Sequence, residues 1–171
     1  MGLFGIQSWI RYGANGSGGY NLLNKQTPSG GWSYQDNNPN YPDCDDTALA
    51  LTAIIRHKSK ISVSTFEGTL KKGLDWLLKM QNKDGSWAAW SKNQFAKNHG
   101  HYLIAETGFF KHAIVNDFGS ADITGHVLVA LGAADYNINS EAVKKALNYL
   151  RREQLPFGGF WARWGVNYLY G

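Results

Sequence analysis

An all-α fold is predicted for this 171-residue chain by three observations. Several capped segments carry apolar residues at helical spacing, and no alternating apolar–polar run is long enough for a useful strand. A Q-x3-G-x-W turn also recurs along the chain, and such units read as a helical repeat. In chain order, the Gly- and Asn-rich stretch Gly13–Gly19 reads as a loop, and 17–25 is a helix candidate. Asp46–His57 reads as a helix because the apolar run Ala48–Ile55 follows Pro42 and a cluster of acids suited to a helix start. Ser64-Thr-Phe-Glu67 has the form of a capping box opening a helix that runs to about Met80. The spacing predicts a loop over Trp90–Gly100 and a helix candidate over 100–113. Ser120 is placed to cap a helix with Ile123, Val127, Leu128 and Leu131 on its apolar face, ending near Gly132. Ser140 is placed to cap the last one, through Glu153.

The repeat is read from Gln26-Thr-Pro-Ser-Gly30-Gly-Trp32 and Gln81-Asn-Lys-Asp-Gly85-Ser-Trp87. Gln154-Leu-Pro-Phe-Gly158-Gly-Phe160 repeats it with Phe in the last place. Each Gln is expected to close a helix, Gly to permit the turn, and the aromatic to stack back on the helix end.

Composition narrows the function. The chain is 43% hydrophobic and holds seven Trp, nine Tyr and eight Phe, which suits one core plus either aromatic packing or an apolar pocket. Its net charge of +4 comes from scattered helix-face residues such as Lys71, Lys79, Lys144 and Arg152, without a recognition motif, so nucleic-acid binding is not expected. Cys44 is the one cysteine, which leaves no intrachain disulfide. Met1–Ile10 lacks the pattern of a signal peptide, and no apolar run approaches the roughly 20 residues of a membrane span. Monotopic attachment escapes that test.

Chemistry is concentrated in Tyr41-Pro-Asp-Cys-Asp-Asp-Thr-Ala48, where Asp43, Asp45 and Asp46 crowd the expected start of a helix. One N-cap needs one carboxylate, not three. Like charges in a poorly solvated site make at least one of them keep its proton near neutral pH, and such a group is a general acid. Asp122 and His126 stand at i and i+4 on one face, as a helix-steadying pair or as a support for that acid. His99-Gly-His101 lacks a third ligand at metal-site spacing, and neither D-D-x-x-D nor a phosphate loop is present. Acid chemistry without metal or cofactor is therefore expected. Protonating an alkene makes a carbocation, which needs a dry cavity walled by ring faces. Tyr34, Trp90 and Trp164 lie just beyond the three turns and are candidates for that wall.

With Gly30-Gly-Trp-Ser-Tyr-Gln35, Asp122-Ile-Thr-Gly-His126 and Phe160-Trp-Ala-Arg-Trp-Gly-Val-Asn-Tyr-Leu-Tyr-Gly171, the acid cluster makes an ordered set of four motifs. The chain in this respect resembles the class II terpene cyclases, squalene–hopene cyclase and sporulenol-type enzymes among them. The Q-x3-G-x-W turns resemble that family's QW repeats. The likeness runs over 26–171 and is poor over 1–25, so 26–171 is expected to form part of an (α/α)6 toroid, the catalytic domain.

The resemblance implies acid-initiated cyclisation of a polyprene without metal or cofactor. It makes Asp45 the proton donor, with Asp43 and Asp46 as neighbouring carboxylates. His126 would hydrogen-bond the donor and Asp122 would support that network. Tyr170 would help hold water, while Tyr34, Trp90 and Trp164 would line the cavity. The extra Asp pair, absent from the D-C-T-A-type motif of sterol-forming relatives, favours an alkene over an epoxide. Squalene and a C35 polyprene both remain open as substrate. A lipid substrate implies peripheral, monotopic attachment at the cytoplasmic face of the membrane. Family members are several times longer, so a complementary cyclase segment is an expected partner, and the chain alone is expected to be inactive or unstable. The competing expectation is a noncatalytic helical-repeat fragment or interaction module.

Overall fold

A computed structural model describes residues 29–34, 42–93 and 117–164. The expectations for Gln26, Tyr41, His99, His101 and Tyr170, for segments 13–19, 17–25 and 100–113, and for most of the 90–100 loop lie outside those residues.

The described regular structure is helical, as the apolar spacing predicts. Helix α1 spans Cys44–Arg56 and starts on Asp43, whose carboxylate accepts the Asp46 backbone N–H at 2.7 Å. One acid of the cluster is thus a true N-cap, and Asp45 and Asp46 sit in the first turn at the positive end of the helix. A short 3-10 turn at Lys58–Lys60 leads to α2, Val63–Met80. The capping box expected at Ser64 does not form. Ser62 takes the N-cap place and its hydroxyl donates to the Thr65 hydroxyl at 2.7 Å, so Ser64 and Glu67 are already helical. Helix α3 is Ala121–Ala133 and α4 is Glu141–Glu153, the latter capped by Ser140, whose hydroxyl accepts the Val143 N–H. Gln81 and Gln154 stand at the C-caps of α2 and α4, where the repeat places them.

The helices form two hairpins, α1–α2 and α3–α4, joined side by side through α1 and α3. The core lies between them: Leu51 and Ile54 of α1, Ile123, Val127 and Leu131 of α3, and Trp76, Leu77 and Met80 of α2 are all buried. Each such side chain contributes roughly 1.5–3 kcal/mol by leaving water. Among the described residues, no helix is long and apolar enough to cross a membrane.

The turns lock one hairpin to the next. Gly85 has φ +99°, and a Cβ there would lie 2.3 Å from the Lys145 carbonyl oxygen of α4. A Cβ on Gly30 would lie 2.3 Å from the Lys72 carbonyl oxygen of α2. Gly is therefore required at Gly85 twice, by backbone conformation and by close approach. The Gln81 amide donates to Gly85 O at 3.0 Å and to Ala142 O at 2.8 Å, tying the end of α2 to the start of α4. The Trp87 indole N–H returns to Leu77 O at 2.7 Å, which is the back-stacking the motif predicts, with a hydrogen bond added.

A second regularity sets the entry to the paired helices. The Trp32 carbonyl accepts the Asp43 N–H at 2.9 Å, and the Trp87 carbonyl accepts the Ser120 N–H at 3.1 Å, two isolated antiparallel bridges. In each case the Trp N–H donates to a threonine hydroxyl four residues past the N-cap, Thr47 at 2.8 Å and Thr124 at 3.1 Å. The N-termini of α1 and α3 are thus built on one plan, with Asp43 matched to Ser120, Asp45 to Asp122 and Thr47 to Thr124.

Candidate active site

Side-by-side packing of α1 and α3 brings together the acids of one and the histidine of the other. His126 Nδ1 lies 2.5 Å from Asp45 Oδ1, across 81 positions of sequence. The Asp45 side chain is 16% exposed and that of His126 36%, so the pair faces partly open space while Asp43 behind it is buried.

The electrostatics follow from those positions. Burial pushes the Asp43 carboxyl up to about 9, with Asp46 adding to the rise, so Asp43 is a neutral acid at neutral pH. Burial also raises Asp45, and the hydrogen bond and charge of His126 oppose that rise, while Asp122 and Asp46 add to it. The Asp43 proton is retained at neutral pH, but the expected cause needs correction. Loss of water comes first for both groups, and crowding among like charges comes after it. Asp43 holds its proton most firmly, yet it is 4% exposed and occupied as a helix cap. Asp45 is the acid that combines a raised carboxyl with an open edge. With Oδ1 taken by His126, Oδ2 is the oxygen left toward the open edge, and the His126 hydrogen bond favours the carboxylate that remains after proton release.

Asp122 does not pair with His126, although i, i+4 spacing allows it. Its Oδ1 accepts from the Ser120 hydroxyl at 2.5 Å and the Ile123 N–H at 2.9 Å. Its Oδ2 accepts the backbone N–H of Arg163 at 2.8 Å and of Trp164 at 3.4 Å. At the second position of its helix the side chain turns back over the N-terminus to the segment beyond α4, away from His126. Its influence on Asp45 is through charge alone.

The aromatic candidates divide. Trp90 and Trp164 meet edge-on, with ring centroids 5.7 Å apart at 75°. Tyr34 is 82% exposed and shares no described contact with them. The Trp pair is held by two residues that sequence reasoning missed. Arg163 lies over both rings, 5.4 Å from the Trp90 centroid and 5.2 Å from that of Trp164. Its guanidinium reaches Asp117 Oδ1 at 3.1 Å with both side chains buried. Asp117 also accepts the backbone N–H groups of Ala89 at 3.0 Å, Trp90 at 2.6 Å and Ser91 at 2.5 Å, and the Ser91 hydroxyl at 2.9 Å. The only sequence signal for this pair was Arg163 beside Trp164 within the last motif.

The site thus joins a carboxyl raised by burial, its partner imidazole and a pair of indoles. Comparison with known proteins gives the family. Residues 7–171 match the family model for the squalene–hopene cyclase C-terminal domain. The chain is 34% identical over 142 residues to the squalene–hopene cyclase of Alicyclobacillus acidocaldarius, covering 83% of this chain and 22% of that protein. It is 34% identical over 143 residues to a probable squalene–hopene cyclase of Sinorhizobium fredii, covering 83% and 21%. It is 35% identical over 153 residues to the sporulenol synthase of Bacillus subtilis, covering 89% and 22%. The chain spans about a fifth of the length of these relatives.

Proposed function

Because this chain belongs to the squalene–hopene cyclase C-terminal domain family, we propose that it carries the acid centre of a class II polyprene cyclase. Asp45 is the proton donor, and the observation that carries this reading is its bond to His126 across the α1–α3 interface. Burial raises the donor's carboxyl, and His126 stabilises the carboxylate left behind once the proton has gone to a terminal alkene carbon. Asp43 acts as the buried neutral cap that fixes the turn carrying Asp45, and Asp46 as a neighbouring carboxylate. Asp122 orders the Arg163–Trp164 segment. Trp90 and Trp164 present ring faces to the developing cation, a contact worth up to about 2 kcal/mol when dry.

The substrate is a squalene-like linear isoprenoid, and the product a polycyclic triterpene of the hopene type. A C35 polyprene is the alternative that the sporulenol-type relative keeps open. No cofactor takes part in this reading. Tyr34 completes the lining once further polypeptide covers it, and Tyr170 holds water near the end of the cavity. A lipid substrate places the working enzyme at a membrane surface as a peripheral or monotopic protein, on the cytoplasmic side.

Asp45→Asn in a full-length context tests the assignment, because it keeps the shape and removes the acidic proton. Turnover of squalene is expected to fall by about 10²-fold or more. Retained turnover sinks the role of Asp45.

The exposure of Tyr34 and Trp164 favours a second reading, that these helices work as an interaction module without turnover of their own. Co-expression with a complementary cyclase segment separates the two, since only the first predicts a gain of cyclised product.

A further inference from the structure

The matched N-termini of α1 and α3 place Asp45 and Asp122 at one position of the repeat, two residues past the N-cap. At α3, that position is structural. Asp122 accepts the N–H groups of Arg163 and Trp164, which stand three and four residues past the aromatic place of the third turn, Phe160. The equivalent N–H groups in the second turn, counted from Trp87, are those of Trp90 and Ser91. That turn does reach the start of α1, because the Cys44 N–H donates to Ala89 O at 2.8 Å. Repeat symmetry therefore assigns Trp90 N–H and Ser91 N–H to Asp45. Both go instead to Asp117 Oδ2, at 2.6 and 2.5 Å.

We propose that Asp117 is a positioning residue that releases Asp45 for acid work, by taking with its own carboxylate the two backbone N–H groups that the repeat would otherwise give to Asp45. A carboxylate that accepts two or three backbone N–H bonds is held ionised and makes a poor proton donor. Asp117 bears that burden in its stead, with Arg163 opposite its other oxygen. Asp45 is left to face His126 and Asp122 from α3 and Asp43 and Asp46 from its own helix. The proposal rests on the cyclase reading for its purpose, though not for its geometry.

Titration of carboxyl carbons by NMR in the 171-residue chain tests the geometry without any turnover, with the Asp45 resonance assigned by its loss in Asp45→Asn. In Asp117→Ala the freed N–H groups draw in Asp45, and its midpoint is expected to fall by about one unit, a tenfold shift in ionisation ratio. Asp117→Asn keeps an accepting oxygen and is expected to leave the midpoint near its original place. So is Arg163→Met, which removes the ion pair but not the backbone bonds. Should Asp117→Ala lose its helical circular dichroism, the double variant Asp117→Leu with Arg163→Met leaves no buried charge unpaired and carries the same expectation.

An unmoved Asp45 in folded Asp117→Ala, or in the folded double variant Asp117→Leu with Arg163→Met, overturns the proposal. In a full-length context the alkaline limb of squalene turnover should move to lower pH by the same amount in Asp117→Ala, with KM unchanged. If Asp45→Asn keeps its turnover while the NMR shift is present, the cyclase reading fails and the release by Asp117 stands. A shift without any change in the pH limb overturns the link between release and catalysis.

Discussion

Asp43 shows how one residue can serve fold and electrostatics with opposite demands. As an N-cap it accepts a backbone N–H, which favours the carboxylate, yet burial dominates and raises its midpoint from 3.8 to about 9. Between those values the folded chain holds a proton that the unfolded chain has lost. Stability is therefore greatest below the lower value and falls as pH rises toward the upper one. Asparagine caps as well as aspartate and cannot ionise. Asp43→Asn is expected to match the parent at about pH 4 and to exceed it increasingly toward about pH 9, as read by urea unfolding at each pH. Asp45, also raised, leaves a residual slope of the same sign. An unchanged pH dependence in Asp43→Asn would mean that the cap is ionised in the folded chain.

At the scale of elements, most of the helices were legible because apolar spacing is local. Helices α1, α3 and α4 begin within a few residues of their expected starts, and the Gln residues close helices as the repeat predicts. What sequence could not settle was a choice between neighbours or between partners. Ser62 and Ser64 both precede the apolar run of α2, and the chain's entry from Lys58–Lys60 selects the first. For Asp122, spacing offered His126, but its position at the helix start put main-chain donors closer. Asp117 lay hidden because its partners are 26 to 46 positions away and no local pattern marks them.

The turns carry a sharper expectation. Gly85→Ala meets both a positive φ and the Lys145 carbonyl, whereas Gly158, at φ +90°, has nothing within 4 Å among the described residues. Backbone strain alone costs about 1–3 kcal/mol. Gly158→Ala should lose that much, and Gly85→Ala clearly more. Equal losses in thermal unfolding would show that the docking contact adds nothing.

Over the whole molecule, the described helices make two hairpins around one core, and Trp164 of the Trp90–Trp164 pair is 42% exposed. On the proposed reading that pair faces a cation that water destroys. Incubated with squalene, the 171-residue chain is expected to give no cyclised product unless further polypeptide covers Tyr34 and Trp164. Polycyclic products from the chain alone would show that the described helices exclude water better than their exposure suggests.

Hydrogen bonds from the main chain of Trp32 and Trp87, not their rings, fix where each following helix begins. Register in this architecture is therefore indifferent to which ring fills the last place of the turn. A designer could replace either buried indole with another aromatic ring to change the fluorescence and still recover the same helical phase, provided a threonine waits four residues beyond the next cap.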